Sequence, residues 1–366
     1  MTSHEHELDD HISGHITDDI TDDVTIEGTT GFDGSVVDFL NDDLADTGFG
    51  LTDDPDKDSA FAKIDGNEID RVFQVADGAT LQLLRVAVLN GRTEGEGGGI
   101  RNDGSLRLDR VAVIDNEAVG QSFNDGGGGV YNTGAMSATD FVFAHNTAPA
   151  GNSTGGAVRN FGTANLTRGL LAYDYALNGS ELSNSPGAVL SATDITVTGN
   201  PSPPISEVVI HVVRNFGEME IRHATFDGHN RARVILFNQS DATMTLGNSL
   251  LLDDDGQQNC SGPIESFGGN VTRDSCDLVT ALDPSFDHID VLVSTAGGLL
   301  DEGGFSPVHP FNPQPPSSAV FDPSDVGSPA VRQSFTDQRG TGFPRAIDRD
   351  GDGDAIADAG AWEHPG

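Results

Sequence analysis

The chain has 366 residues, of which 58 are acidic and 19 basic, giving a formal net charge of −39. So negative a surface repels nucleic acid and anionic membranes, and it suits an acidic secreted or salt-adapted protein. No apolar run approaches the ~20 residues that a membrane-spanning helix needs, so neither a nucleic-acid partner nor membrane insertion is expected.

Residues 1–65 read as an acidic N-terminal segment, either incomplete first coils of a repeat or a cap. Short apolar alternations such as Val24-Thr25-Ile26 suggest isolated strands. The opening MTSHEHELDDHISGH lacks the basic start and the apolar stretch of a secretion signal. His4, His6, His11 and His15 have no second ligand cluster to anchor a metal and read as a solvated tail.

Residues 66–256 carry a repeat. A turn glycine is followed twelve residues later by asparagine or a near substitute: Gly78 by Asn90, Gly104 by Asn116, Gly134 by Asn146 and Gly162 by Asp174. Gly187 to Asn200 and Gly217 to Asn230 are one residue longer, and Asp241 to Asp253 is a degenerate seventh unit. A fixed inner spacing joined by loops of varying length is the pattern of a stacked solenoid. Apolar residues alternate at period two within each unit, as in strands with one buried face: Leu106 and Leu108, Met136 and Ala138, Ala164 and Leu166, Met219 and Ile221. A second strand follows, marked by Val111 and Val113, Phe141 and Phe143, Ile195 and Val197. Glycine and asparagine tolerate positive φ and are expected to turn the corners. Each unit is then one coil, and coils stack as parallel strands ~4.8 Å apart, so that Leu108, Ala138 and Leu166 lie in adjacent layers.

Stacking aligns like positions into columns. Asn102, Asn132, Asn160 and Asn215 each precede a marker glycine by two residues, and their amides are expected to form a coil-to-coil ladder. Arg101, Tyr131, Arg159 and Arg214 precede it by three. On a solvent-facing strand they would form a stripe able to stack on sugar rings or pair with carboxylates, the alternative being surface decoration. Arg110, Asp140 and Arg168 make another column, in which opposite charges support one another. The runs Gly97–Gly99 and Gly126–Gly129 lack the Gly-Lys-Ser/Thr that follows a phosphate loop and read as corners.

Residues 257–366 break the pattern and read as a C-terminal disulfide loop, cap and acidic tail, since solenoid ends need covering. Cys260 and Cys276 would form one disulfide in an oxidising compartment and two spare thiols in a reducing one. Asp348, Asp350, Asp352 and Asp354, with Asp358 after them, fit the first half of a Ca²⁺ loop. Ala359 stands where the bidentate glutamate would be, so a Ca²⁺ site and a solvated acidic turn both remain open. Ca²⁺ is the one cofactor suggested; no organic cofactor is expected.

The segments GGGIRNDGSLRLDRVAVIDNEA (97–118), GGGVYNTGAMSATDFVFAHNTA (127–148) and GGAVRNFGTANLTRGLLAYDYA (155–176) look like coils of a right-handed parallel β-helix. They are similar to polymorphic outer-membrane protein repeats, whose GGA[ILV] and FxxN patterns match Gly155-Gly156-Ala157-Val158 and Phe143-Ala144-His145-Asn146. More closely, residues 64–363 resemble the choice-of-anchor Q domain proteins. The resemblance rests on the lead-in RVFQVADGATLQLLRVAVLNG (71–91), the loop NCSGPIESFGGNVTRDSC (259–276) and the closing DQRGTGFPRAIDRDGDGDAIADAGAWE (337–363). It implies an all-β, single-stranded right-handed parallel β-helix of about seven or more coils, secreted or surface-displayed by a bacterium or archaeon, with no established enzymatic activity. The chain departs from that pattern in showing no signal before the coils and no sorting domain after Trp362. This suggests a trimmed sequence or a signal-independent route out of the cell.

A hydrolase on this fold would need two or three converging carboxylates. Asp109, Asp140 and Asp174 fall on neighbouring coils but not in one column, and no catalytic constellation stands above the acidic background. The reading is therefore a non-enzymatic, adhesin-like extracellular or cell-surface scaffold whose side-chain columns bind a glycan or a surface protein. A carbohydrate-active lyase or glycoside hydrolase is the alternative, since fold does not decide function. A self-associating filament or matrix component is the second alternative.

Overall fold

The computed structural model describes residues 4–8, 12–13, 19–28, 62–122, 125–151, 153–199, 209–227, 232–252, 258–273, 276, 278–280, 287–289, 336–344, 346–347, 356–357 and 360–361. Among them every regular element is a β-strand. The strands stack as a parallel β-solenoid of about seven turns. A long sheet, a second sheet and a short sheet run along it, and all their pairings are parallel.

One coil illustrates the winding. The short strand Ile100–Asn102 lies in the second sheet, a tight turn follows, and Ser105–Ile114 lies in the long sheet. A corner at Asp115 leads to Glu117–Ala118 in the short sheet. The next coils repeat this with Val130–Asn132, Ala135–Ala144 and Thr147–Ala148, then Val158–Asn160, Thr163–Ala172 and Tyr175–Ala176. Leu108 pairs with Ala138 and Ala138 with Leu166, so like positions do stack in vertical files.

The two strands expected within a unit are separate around Arg85 (Thr80–Leu84, Val86–Leu89) and Asn248 (Thr243–Gly247, Leu250–Leu251), and in the five coils between they merge into one ten-residue strand with a bend. At the junction a single residue adopts left-handed φ: Arg85, Arg110, Asp140, Arg168, Asp194, His223 and Asn248, one per coil, at 47–56°. The bend shifts the inward alternation, so Leu106 and Leu108 face the core before it, and Val111 and Val113 after it. Glycine and asparagine are therefore not the only corner residues. Arginine, aspartate and histidine hold a conformation that is uncommon for them, and the stacked strands on either side enforce it.

The interior is filled by stacked aliphatic and aromatic columns. One runs Leu81, Leu106, Met136, Ala164, Leu190, Met219, Met244; another runs Val113, Phe143, Leu171, Val197, Phe226, Leu251. Volume is traded between layers. Phe141 pairs with Gly169, and a Cβ at Gly169 would meet the Phe141 ring at 2.4 Å, so the glycine makes room for the phenyl above it.

Buried asparagines lock the register. Asn102 Nδ2 donates to Asn132 Oδ1 (2.7 Å), Asn132 to Asn160 (2.7 Å), Asn160 to Asn184 (2.8 Å), Asn184 to Asn215 (2.8 Å) and Asn215 to Asn238 (2.7 Å). The column thus includes Asn184 and Asn238, which the spacing to a marker glycine did not reveal. The turns after them, Ser185-Pro186-Gly187-Ala188 and Gln239-Ser240-Asp241-Ala242, are two residues longer than Asp103-Gly104. In these coils Ala188 and Ala242, not Gly187 and Asp241, share the register of Gly162 and Gly217. The first coil behaves alike: Ala79 and Gly91 align with Gly104 and Asn116, so the Gly78–Asn90 marker is one residue out of register.

The coils also extend beyond the expected boundary at 256. Gln258–Ser261 pairs with Ala232–Asn238, Ile264–Gly268 with Thr243–Gly247, and Val271–Thr272 with Leu250–Leu251. At the other end Val24–Gly28 pairs with Thr80–Leu84 and Ala62–Asp65 with Val86–Leu89. Residues 336–344 and 360–361 form a strap along the flank. Thr196 Oγ1 donates to Gln338 Oε1 (2.6 Å), Ala361 N to Thr225 Oγ1 (3.0 Å) and Gly360 N to Asn248 O (2.8 Å). Gln338 N donates to Ala361 O (3.0 Å), which ties the two pieces together. Thr196 and Thr225 point away from the core yet are buried, so this flank needs a cover and the strap supplies part of it.

Two substitutions test this account. Asn160→Ala deletes two ladder bonds and leaves the Asn184 carbonyl short of a donor. It is expected to lower stability by about 2–3 kcal/mol in urea unfolding. Phe141→Ala is expected to cost about 3–5 kcal/mol, and a near-zero change in the unfolding midpoint would contradict its interior position.

Candidate functional site

The second sheet carries the candidate site. Register places Gln74, Arg101, Tyr131, Arg159, Ser183, Arg214 and Phe237 in one outward column. The spacing therefore brings Arg101, Tyr131, Arg159 and Arg214 onto one face, with Ser183 interposed before Arg214. That face is not the open stripe expected. Tyr131 is 6% and Arg159 3% exposed, whereas Arg101 and Arg214 are half-buried.

The local sequence explains the cover. Arg159-Asn160-Phe161-Gly162 and Arg214-Asn215-Phe216-Gly217 repeat one tetrapeptide. The asparagine points inward to the ladder, so the arginine and the phenylalanine two residues on both point outward. Each guanidinium then lies over its own ring, at 4.7 Å for Arg159 on Phe161 and 4.1 Å for Arg214 on Phe216. Such contacts hold a planar cation flat against an apolar plate. In Arg101-Asn102-Asp103-Gly104 the same geometry gives an ion pair instead, Arg101 Nε to Asp103 Oδ2 at 3.0 Å, with Glu96 Oε2 on Nη1 at 3.0 Å.

Rings join across coils. Tyr131 packs on Phe161 with centroids 5.4 Å apart, His211 on Phe237 at 4.4 Å and Phe216 on Phe237 at 5.9 Å. Arg159 Nη1 also donates to Ser183 Oγ (2.9 Å). Burial, followed by the nearby Arg214 charge, pulls the Arg159 pKa down to about 10, which leaves it cationic at neutral pH. Burial and then the Arg101 charge likewise lower that of Arg71 at the N-terminal end of the face. The result is a ridge of flat cations and aromatic plates on a strongly acidic protein. Phe161, Phe216, Phe237 and His211 were missed in the sequence, although the repeated Arg-Asn-Phe-Gly was a visible signal.

Two other columns bear on chemistry. Arg168 grips Asp140 through Nε (2.7 Å) and Nη2 (3.1 Å), while Arg110 on the preceding coil is exposed. Asp109 and Asp140 are not register partners; Asp109 pairs with Thr139 and Asp140 sits at the bend. At the next corner Asp115, His145 and Tyr173 are aligned, all with left-handed φ, and the His145 and Tyr173 rings stack at 5.2 Å. Burial pushes the Asp115 carboxyl up to about 6 and the His145 imidazole down to about 4. This column is a second feature that sequence spacing did not single out.

Cys260, on a strand of the second sheet, is joined to Cys276 by a disulfide. Asp348, Asp350, Asp352, Asp354 and Asp358, the proposed Ca²⁺ ligands, lie outside the described residues. So do His11 and His15. Among the described residues no group of three or more histidine, cysteine or acidic side chains is gathered as a metal site. The runs Gly97–Gly99 and Gly126–Gly129 are coil corners: Gly97 and Gly127 adopt left-handed φ of 69° and 64°. No family model matches the chain, and no curated protein and no solved structure matches it either.

Reducing Cys260–Cys276 opens a link of 16 residues. It is expected to lower stability by about 3 kcal/mol, read as a shift in the urea midpoint with and without reductant.

Proposed function

We propose that the protein is an extracellular or cell-surface scaffold that binds glycans without turning them over, and that the guanidinium–aromatic ridge is its binding face. The observation that carries this reading is the single register of the half-buried Arg101, Arg214 and Phe237, with the half-buried Phe161 and Phe216 plates beside them and the buried Tyr131 and Arg159 supporting them from beneath. Sugar rings stack on flat apolar surfaces through their C–H faces, and planar guanidiniums hold ring hydroxyls or carboxylates by paired hydrogen bonds. Coils ~4.8 Å apart repeat these groups at a spacing suited to an extended chain rather than to a single small molecule. The resemblance to choice-of-anchor Q domain proteins supports the surface location. In this reading Ca²⁺ at Asp348, Asp350, Asp352, Asp354 and Asp358 would steady the C-terminal region and not the binding face.

A carbohydrate-active enzyme is the second reading, and Asp115 is the observation in its favour. A carboxyl pushed up to about 6 lies in the range of a general acid, beside His145 on the next coil. One experiment separates the two. The full chain is applied to an array of neutral and acidic glycans with and without Ca²⁺, and the bound glycans are then assayed for new reducing ends and unsaturated products. Retention without products is expected. The double variant Arg101→Ala/Arg214→Ala should weaken retention about tenfold or more, the scale of losing charge-assisted hydrogen bonds. Turnover that disappears in Asp115→Asn would reject the binding reading in favour of the enzyme.

A further inference from the structure

A second, shorter ladder runs inside the corner that follows the long strands. Asn116 Nδ2 donates to Asn146 Oδ1 (2.9 Å), and Asn146 Nδ2 donates to Asp174 Oδ1 (2.8 Å). Backbone groups follow the same line: Gly91 N donates to Asn116 Oδ1 (2.8 Å), Asn116 N to Asn146 Oδ1 (3.2 Å) and Asn146 N to Asp174 Oδ1 (2.7 Å). Asp174 therefore occupies an asparagine's place, and its Oδ1 plays the amide oxygen. In asparagine the remaining atom is a donor. Here it is Oδ2, which no donor meets among the described residues, and the Asp174 carboxyl interacts with that of Glu181.

Glu181 is equally out of character for its column. It lies one residue before Leu182, whose register partners lead back through Val158 and Val130 to Ile100. The equivalent residues in the three preceding coils are Gly99, Gly129 and Ala157. A Cβ at Gly99 or Gly129 would lie 3.0–3.1 Å from the ladder amides of Asn116 or Asn146, so this column looks onto the ladder. On the coil of Asp174 the column residue is Ala157, and Glu181 stacks directly on it from the next coil, so the glutamate enters the column one layer beyond the point where the ladder exchanges asparagine for aspartate. Both side chains are fully buried. Among the described residues, Asp174 Oδ2 and the two Glu181 oxygens meet no side-chain donor; Glu181 is met by the Asp174 carboxyl and the Asp174 backbone.

Two ionised carboxylates cannot lie against one another in such an interior. One proton between them turns the repulsion into a charge-assisted O–H···O⁻ hydrogen bond. A protonated aspartic acid also presents one donor and one acceptor, as asparagine does, so it completes the ladder. We propose that Asp174 and Glu181 form a proton-sharing carboxyl pair, a pH-sensitive element that loosens the middle coils of the solenoid when its proton is lost.

The surroundings favour the protonated form. The groups facing Asp174 are Glu181, the Asn146 amide and the backbone of Asn146 and Ala172; Glu181 also faces the Asp174 backbone, and among the described residues no arginine, lysine or histidine stands with these influences on either carboxyl. His145 and Tyr173 precede Asn146 and Asp174 but stack on each other at the corner; Tyr175 follows Asp174, and Ser180 and Leu182 flank Glu181. Burial pushes the Asp174 carboxyl up to about 7, and burial followed by the Asp174 charge raises that of Glu181. Both shifts are upward, so the folded state binds the proton more tightly than the unfolded chain. The stability they confer is whole below the ordinary carboxylate range and is lost as pH rises: the first proton leaves by about 7, and the shared one leaves at the higher pH that the Glu181 shift sets. His145 and His211 act in the opposite sense: burial pushes each down to about 4, so their contribution is complete above their ordinary value near 6.5. Alkaline pH thus isolates the carboxyl pair.

Thermal unfolding of the full chain should be followed from pH about 7 to about 9 for the wild type, Asp174→Asn and Asp174→Asn/Glu181→Gln. The wild-type midpoint is expected to fall across this range and that of the isosteric double variant to stay level. Parallel falls would overturn the proposal. Infrared spectra of the native wild type at neutral pH supply an independent readout that does not depend on the variants folding. A protonated-carboxyl band is expected that disappears as pH is raised, and its absence at neutral pH would also overturn the pairing.

Discussion

Everything in this molecule depends on coil lying on coil in a single register, and the buried side-chain amide is what makes that register unique. Backbone bonds between parallel strands hold coils together but are nearly indifferent to a slip along the strand. A column of asparagines is not. From Asn132 to Asn215 each amide accepts from one neighbour and donates to the next, while Asn102 opens the ladder as a donor and Asn238 closes it on the Ala242 and Pro263 carbonyls. A slip by one residue would bury unsatisfied amides on both coils, each costing about 1–3 kcal/mol. The ladder also absorbs unequal turns. The coils ending in Asn184 and Asn238 carry two extra turn residues, yet their amides return to the same file.

Given that register, the division between inside and outside follows from strand alternation. Phe141 and Gly169 exchange volume between layers, and the left-handed residue in each long strand shifts the alternation so that both halves present apolar side chains inward. The outward positions then become files of like side chains. This is how Arg-Asn-Phe-Gly, an unremarkable tetrapeptide when read alone, becomes a guanidinium on an aromatic plate with further plates on the adjoining coils. The same stacking brings an aspartate and a glutamate from adjacent coils against one another in the interior. Position in the stack, more than local sequence, decides what each side chain can do.

The acidic composition finds a structural counterpart. With a net charge of −39, long-range repulsion opposes folding and is relieved by salt. Cations are not scattered evenly against it: Arg168 is spent on Asp140 and Arg339 on Asp337, while Arg101, Arg159 and Arg214 share one face. The flank strap adds a restraint that does not rely on charge, since its bonds to Thr196, Thr225 and Asn248 span three coils through neutral groups.

The parallel stack, the inward residues of Ser105–Ile114 and its relatives, and four of the six ladder asparagines can be read from residue order, because periods of two and of one coil are properties of the sequence. The C-terminal extent of the coils, the flank strap and the partners of Arg159 and Arg214 cannot, because each rests on contacts between residues far apart in the chain or on turns whose length hides the register. The aspartate at 174 counted as a near substitute for asparagine when only spacing was visible. Its carboxyl is set apart by Glu181, which arrives from the next coil through a turn of unrelated sequence, and only the folded chain brings the two within reach of one proton.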